Sequence, residues 1–501
     1  MSKLSVTIDG VNVSAPQGST ILEAAELAGI RIPSLCFLKD RNVKANCRIC
    51  VVEVKGSKTF QPACATLAAE KMEVLTDTPA LREARKTSLE LILSSHSWDC
   101  HHCLRIGNYK VEELNKELCS FCFFCDCVKE GDCELQALAE EYGVNKLPFD
   151  WAGDPLIVDD STGALVRNPN KCIKCRRCIE VCNTEQTVNA LGVERRGFKI
   201  QVAPVLGASL AQSPCVVCGK CIEVCPTGAL SAKEHYDAML YAARLEPGVT
   251  TVAQVSPKIR KELARLLNMD EHKLDLARLA AGLKKIGIDY VVSEKQANDH
   301  TLADAAKQLE AALKASKGVV ILSNSAPAIA FLQQEFPDLA GSLLSYTSPE
   351  QRFGGIAKGE WAKQKGLAPE TVRTVTLSEN CAAKAEALQP ENRNAAGPNV
   401  DFVLTPREIA RMLNKTAVDI NRLDPCKFDD LTADTGNCPA ELRAVFADDA
   451  AKAGETVSEI QILSNGATVT AAVSHTLGGA RQLLEQVRAG TFPGRVLRLR
   501  A

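Results

Sequence analysis

This chain has no apolar run approaching the roughly 18 residues that a membrane-spanning helix needs. Its longest candidate, GVVILSNSAPAIAFL, is broken by polar residues and a proline. The first residues, MSKLSVTIDG, begin on a strand pattern without an apolar signal core, so a cytoplasmic protein is expected. Excess charge is also lacking. The formal net charge is −2, which leaves no electrostatic case for binding nucleic acid or a membrane surface. No G-x-G-x-x-G opens a helix and no G-x-x-x-x-G-K-[ST] loop occurs, so no nucleotide or flavin motif is present. The pairs Gly354-Gly355 and Gly478-Gly479 read as turns. Cysteine is scarce in one half only: of 22, just Cys381, Cys426 and Cys438 lie beyond Pro226.

What is present is a dense set of ligands. At 501 residues, with 46% hydrophobic and 24% charged residues, the chain is a soluble globular type of three or four domains. Disulfides suit small secreted domains; in a large chain of this kind the cysteines read as metal thiolates. Residues 1 to about 78 open with KLSVTIDG and VNVSAP around Asp9-Gly10, a hairpin. STILEAAELAG follows as a helix, with Thr20 and Glu23 as a capping box and Gly29 as the C′ glycine. Then come Cys36, Cys47, Cys50 and Cys64, spaced C-x10-C-x2-C-x13-C. TPALREARKTSLELILSSH reads as a helix before a Cys/His block from His96 to Cys133.

CIKCRRCIEVC and CVVCGKCIEVCP repeat one C-x2-C-x2-C-x3-C unit. Three closely spaced thiolates wrap one corner of a [4Fe–4S] cube and the fourth reaches the other cube. Cys172, Cys175, Cys178 and Cys225 are therefore expected to bind one cluster, and Cys215, Cys218, Cys221 and Cys182 a second. Zinc sites use paired knuckles rather than triplets. Lys171, Lys174, Arg176 and Arg177 either raise the potential of the neighbouring cube or form a solvated basic face. Beyond residue 234, TTVAQVS, YVVS, GVVILS, TVRTVTLS and DFVL alternate as strands with amphipathic helices, an α/β pattern. SNSAPAIAFL (323–332) reads as a loop placed to hold something, with no side chain suited to holding it. KAEALQPENRNAAGP and DPCKFDDLTADTGNCPA are expected loops.

The N-terminal set departs from the plant-type C-x4-C-x2-C spacing. With its hairpin and capped helix, it resembles the N-terminal domain shared by iron-only hydrogenases and the large peripheral subunit of respiratory complex I, which implies a [2Fe–2S] centre on Cys36, Cys47, Cys50 and Cys64. The next module of both families resembles H-x3-C-x2-C-x5-C-E-L-Q. His96, Cys100 and Cys103 match its start and Cys133 with ELQ its end, implying a [4Fe–4S] cluster held by one histidine and three cysteines. The gap before Cys133 is 29 residues rather than five, and it adds Cys119, Cys122, Cys125 and Cys127. These are expected to form a further site, [4Fe–4S] or zinc. A pairing of Cys100, Cys103, Cys119 and Cys122 stays open. His101 and His102 are read as outside the ligand sets.

TTVAQVSPKIRKEL, FPDLAGSLLSYTSPEQRFGGIAK and VDFVLTPREIARML resemble the catalytic domain of [FeFe] hydrogenases. In the family's T-S-C-C-P-[AG]-W motif the first cysteine ligates the hydrogen-forming cluster and the second relays protons; here Ser325 and Ala326 stand in their places. In M-P-C-x2-K, Cys381 and Lys384 survive. E-x-M-x-C-x-G-G-C would follow SHTLGGARQLLEQVRAGTFPGRV, where the sequence runs out at LRLRA. The resemblance thus implies a hydrogenase scaffold without its H-cluster, and no catalytic residue. Cys381, Cys426 and Cys438 are read as plain cysteines, or as a metal site should they meet in space.

The expected fold is multidomain, α+β and α/β. A β-grasp [2Fe–2S] ferredoxin domain spans 1–78. A small [4Fe–4S] domain with one His and three Cys ligands spans 79–158 and carries a Cys-rich insert (104–132). A bacterial 2[4Fe–4S] ferredoxin domain spans 159–233, and a degenerate [FeFe]-hydrogenase α/β domain spans 234–501. The resemblance points to the relay subunit of a Sporomusa-type electron-bifurcating NADH/NADPH/ferredoxin transhydrogenase. Its implied partners are an FMN- and NADH-binding flavoprotein, an NADPH-binding flavoprotein and soluble ferredoxin. A bifurcating [FeFe] hydrogenase subunit and a complex I-type large subunit are the alternatives.

Overall fold

The computed structural model describes the chain except residues 1, 98–99, 101–126, 154, 316–317, 380, 432–438, 440–441, 443–444, 447–454 and 465–466. Cys103, Cys119, Cys122, Cys125, Cys438, His101 and His102 lie outside the described residues.

Strands β1 (Lys3–Ile8) and β2 (Val11–Pro16) pair in antiparallel register, Ile8 opposite Val11. The two-residue turn requires positive φ at both positions. Asp9 supplies 47° and Gly10 82°, as in a type I′ hairpin. Val6, Ile8, Val13 and Ala15 alternate inward onto a common core with helix α1 (Ile21–Leu27). Both halves of the Thr20–Glu23 capping box form, and Gly29 follows the helix at φ 70°. With β3 (Val51–Val54), β4 (Gln61–Pro62) and β5 (Glu73–Leu75) the sheet order is β2-β1-β5-β3-β4, and β5 runs parallel to β1.

Helix α2 (Pro79–Ser94) starts on an N-cap Thr78 with proline in its first turn, where the missing N–H costs nothing. Its buried Arg85 donates to the carbonyls of Val51 and Thr76, at 2.8 and 2.7 Å, fastening α2 to the first sheet. Helix α3 (Glu134–Glu141) packs Leu135 and Leu138 against Leu89 and Leu93 of α2. The module that follows holds two short ladders, β6 (Leu165–Arg167) with β9 (Leu230–Ala232) and β7 (Gly192–Glu194) with β8 (Gln201–Ala203).

The second half builds two sheets. One is parallel, in the order β11-β10-β14-β17, from β10 (Thr250–Val255), β11 (Tyr290–Ser293), β14 (Val372–Leu377) and β17 (Phe402–Leu404). The other has the order β13-β12-β20-β19-β18, from β12 (Val320–Ser323), β13 (Leu343–Ser345), β18 (Val457–Ser464), β19 (Ala467–Ser474) and β20 (Val496–Arg498). Only β18 is antiparallel to its neighbour. Strands β10, β12 and β14 are buried at almost every position, as parallel strands covered on both faces are.

Three expectations need correction. SNSAPAIAFL is mostly helix: α4 (Ala326–Glu335) begins one residue after Ser325, with Pro327 in its first turn, because a first-turn proline favours a helix start. Gly354-Gly355 and Gly478-Gly479 lie inside helices α5 (Pro349–Ile356) and α8 (Leu477–Arg488), not in turns. A Cβ at Gly354 would come within 2.0 Å of Asn399 O, and one at Gly478 within 2.4 Å of Glu185 O. At these two positions glycine permits close approach of another backbone. Finally, KAEALQPENRNAAGP includes the end of helix α6 (Ala382–Ala387) and a two-stranded pair, β15 (Arg393–Asn394) with β16 (Gly397–Pro398). Helix α7 (Pro406–Lys415), capped by Thr405, follows β17.

Candidate metal centres

The four N-terminal thiols meet. Cys36 shares hydrogen bonds with Cys47 and Cys64, and Cys50 with Cys64. Those bonds draw Cys36 and Cys50 below the ordinary thiol range and push Cys47 and Cys64 above it. The Cys47–Cys50 turn is wound tightly, with Ala45 and Arg48 at φ 52° and 58°. Such left-handed residues are costly without glycine and persist where the surroundings demand them.

The two repeats are wound alike. Lys174 and Val217 follow equivalent cysteines by two residues, at φ 58° and 54°; Arg176 and Gly219 follow the next cysteine, at 67° and 80°. These turns aim amide N–H groups at sulfur: Lys174 N to Cys172 Sγ and Val217 N to Cys215 Sγ are both 3.4 Å, and Ala190 N to Cys182 Sγ is 3.3 Å. Cys172, Cys175, Cys178 and Cys225 line one apolar cavity. Cys182 lies electrostatically close to Cys215 and Cys218, and Cys221 to the same pair. The fourth cysteine of each repeat is thus beside the other repeat's triplet, and Cys178 and Cys221 face each other between the two sets.

Burial pushes Cys172 and Cys215 up to about 11 and Cys175 and Cys218 to about 12; burial and neighbouring thiolates raise Cys178 and Cys221 well above 9.0. As free groups they are neutral thiols crowded together. Bound iron inverts this, since a metal deprotonates its thiol ligands. Among the described residues no three His, Cys, Asp or Glu side chains converge as a single-ion site. Ligands of a cube each bind a different iron, so they stand farther apart than those around one ion.

His96 is fully enclosed. Burial, then the charge of Lys171, lowers its imidazole to about 4. Its Nδ1 is buried without a hydrogen-bond partner, an arrangement that suits a metal-facing nitrogen. Cys100 is half-buried, and the thiol of Cys133 lies near Cys127. Their spacing in the sequence places Cys127 and Cys133 in different sets.

Residues outside the candidate ligand sets tie the modules together. Asn42 is wholly buried and donates to Cys36 O at 2.8 Å and Cys175 O at 2.9 Å, bridging one residue of each candidate site. Arg41–Glu185 (2.6 Å) and Lys44–Glu180 flank it. The ten-residue gap between Cys36 and Cys47 was the available signal: its length is used to reach the 159–233 module. Asp132, beside Cys133, accepts from Arg265 at 2.7 Å and from Arg407, and Arg177 pairs with Glu134 at 2.7 Å.

Three parts of the chain match known families. Residues 1–79 match the 2Fe-2S iron-sulfur cluster binding domain, and 163–231 the ferredoxin-like domain of NADH-quinone oxidoreductase subunit 3. Residues 249–499 match the iron only hydrogenase large subunit, C-terminal domain. NADP-reducing hydrogenase subunit HndD of Solidesulfovibrio fructosivorans is 34% identical, over 98% of this chain and 85% of its own length. The chain belongs to the iron-only hydrogenase large-subunit family. Iron hydrogenase 1 of Clostridium pasteurianum is 27% identical over 85% of this chain and 70% of its own length. The 78 kDa subunit of the mitochondrial NADH-ubiquinone oxidoreductase of Candida albicans is 29% identical over 49% of this chain and 30% of its own length.

Ser325 is the N-cap of α4 and Ala326 its first residue. Cys381 is buried in the core that also holds Cys178 and Cys225, its Sγ 3.9 Å from Val217 O. Burial, then Cys218 and Cys215, pushes its thiol up to about 12. Cys426 packs in a different core, its Sγ 3.6 Å from Ala277 O, so these two cysteines do not meet. Lys384 is spent in a fully buried ion pair with Glu408, 2.9 Å away, and also donates to Val403 O. Among the described residues no helix is long and apolar enough to cross a membrane.

Proposed function

We propose that this chain is the iron–sulfur electron-transfer subunit of a multi-subunit NAD(P)H/ferredoxin oxidoreductase of the electron-bifurcating transhydrogenase type, with no hydrogen chemistry of its own. One observation carries the reading. Among the described residues, the thiols of the N-terminal set and of the two repeats are gathered in contacting modules, whereas Ser325 and Ala326 stand where the resemblance puts the first hydrogenase motif, and Lys384 is committed to Glu408. A hydroxyl and a methyl group supply neither a soft iron ligand nor a thiol proton relay.

The ligand sets follow the sulfur groupings. Cys36, Cys47, Cys50 and Cys64 would hold a [2Fe–2S] cluster. Cys172, Cys175, Cys178 and Cys225 would hold one [4Fe–4S] cluster, and Cys215, Cys218, Cys221 and Cys182 another. His96, Cys100, Cys103 and Cys133 would hold a third, with a further [4Fe–4S] or zinc site on Cys119, Cys122, Cys125 and Cys127. Bound clusters supply one-electron carriers whose potentials follow charge, burial and hydrogen bonds to sulfur. The chain's own part is to orient the thiols, aim N–H groups at sulfur and exclude water. Its proposed partners are an FMN- and NADH-binding flavoprotein, an NADPH-binding flavoprotein and soluble ferredoxin. The kinship with HndD, an NADP-reducing hydrogenase subunit, favours as a second reading a subunit of an electron-bifurcating [FeFe] hydrogenase.

Iron and acid-labile sulfide on anaerobically purified protein separate these. The relay reading expects about 14 irons per chain without a cluster on the insert and about 18 with one; an intact hydrogenase cofactor brings the count to roughly 20 or more. Infrared bands of bound CO and cyanide would overturn the first reading in favour of the second.

A further inference from the structure

The hairpin β7–β8 carries a turn, Arg195-Arg196-Gly197-Phe198-Lys199, that stands out on the surface. Phe198 is 63% exposed and, close by in the chain, Leu206 is 98% exposed. Arg195, Arg196 and Lys199 form no ion pair among the described residues. The nearest carboxylate on the hairpin, Glu194, accepts from Gly207 N at 2.9 Å. Large apolar groups left in water and ringed by unpaired cations are a recognition feature rather than a solubility feature.

This turn is wired to a candidate cluster site. Lys174 extends its ammonium to Phe198 O at 3.2 Å and over the Phe198 ring, 5.2 Å from the centroid. The same residue's N–H donates to Cys172 Sγ at 3.4 Å. A cavity of about 120 Å³ opens here, with Lys174, Arg195, Phe198, Lys199, Cys172 and His96 among its walls. One residue therefore touches both the exposed ring and a cluster-ligand sulfur. The charge of the rim selects a partner of opposite sign.

We propose that the Arg195–Lys199 turn, with Lys174 behind it, is the docking surface for a small acidic iron–sulfur protein. The proposal rests on the relay reading above and names the face at which a soluble ferredoxin meets this subunit. Opposite charge across such a rim mainly raises the association rate and makes it salt-dependent.

The test uses the whole purified complex and an acidic 2[4Fe–4S] ferredoxin, with a carbodiimide-neutralised sample of the same ferredoxin as control. Binding is measured by biolayer interferometry across ionic strength. For the wild type, the association rate should fall steeply with salt and be lost with the neutralised ferredoxin. Arg195→Gln/Arg196→Gln/Lys199→Gln should slow association about tenfold or more at low salt, with iron content and subunit composition unchanged. Phe198→Ala should speed dissociation without altering the salt slope. Unchanged association and salt slope in the triple variant, with ferredoxin still binding, overturn the docking surface and leave the relay reading intact. Loss of a flavoprotein subunit from the triple variant overturns it too, by showing that another subunit covers this face. A wild-type complex that binds no ferredoxin at any salt concentration overturns both.

Discussion

Replacing Asn42 by alanine tests how the N-terminal thiol set and the Cys172–Cys178 repeat are held together. The side chain is wholly buried and makes two amide bonds, to Cys36 O and Cys175 O, across 133 residues of sequence. Two such bonds contribute about 1–3 kcal/mol together, and leaving buried carbonyls without a donor adds to the loss. Asn42 Oδ1 itself lacks a partner, and removing it offsets part of the cost. The net expectation is a weakening of the module contact by about 2–3 kcal/mol. The flanking pairs Arg41–Glu185 and Lys44–Glu180 are partly exposed and contribute about 0–1 kcal/mol each. Hydrogen exchange on the intact chain is the direct assay. Protection should fall in residues 37–46 and 172–178 of Asn42→Ala, and much less in Arg41→Ala/Lys44→Ala. Asn42→Asp should be worse near neutral pH, because a carboxylate would face two carbonyl oxygens. Its folded-state pKa would be raised above the unfolded value of about 3.9, so the variant's stability falls as pH rises from there through the folded pKa. Equal protection in wild type and Asn42→Ala would refute the reasoning, as would a larger loss in the salt-bridge variant.

Other perturbations separate packing from charge. Gly478→Ala should cost about 1–3 kcal/mol in chemical denaturation, since its Cβ would meet Glu185 O at 2.4 Å. Gly355→Ala has nothing within 4 Å and should stabilise by about 0.5–1 kcal/mol through helix propensity; a loss there would contradict the packing. Asp132 is raised by burial, but hydrogen bonds from Arg265 and Arg407 outweigh that and hold it well below the carboxylate range. A depressed folded pKa stabilises above the unfolded value of about 3.9 and is lost as pH falls from there through the folded value. Denaturation at pH 7 and near pH 2 should show Asp132→Asn closing on wild type at the lower pH. Lys384→Met leaves Glu408 buried and unpaired and should cost about 3–5 kcal/mol by denaturant titration. Adding Glu408→Gln should recover much of it, while iron content stays unchanged in both.

Much of the chain was legible because its signals are local. The Asp9-Gly10 turn, the Thr20–Glu23 box and the apolar strands β10, β12 and β14 each follow from a few adjacent residues. The triplet spacing with a distant fourth cysteine was enough to expect thiols exchanged between repeats, because three closely spaced ligands cannot surround a cube alone. Where local patterns misled, tertiary contact was the reason. Gly354 and Gly478 looked like turn residues, yet each sits in a helix where another backbone passes too close for a Cβ. The hairpin β18–β19 was missed although Asn465-Gly466 lies between its strands, a strong hairpin pair.

By itself the sequence determined the kind of ligand, the repeat, the absence of thiols at Ser325 and Ala326, and the order of the modules. These depend on residue identity and short spacing, which folding does not alter. Only the tertiary structure decided that the long Cys36–Cys47 loop reaches Cys175, that Lys384 pairs with Glu408, and that Lys174 joins Phe198 to Cys172. Asn42 lies 133 residues from Cys175 and Lys384 24 from Glu408. Such partners are chosen by which surfaces pack together, and no spacing rule along the chain records that choice.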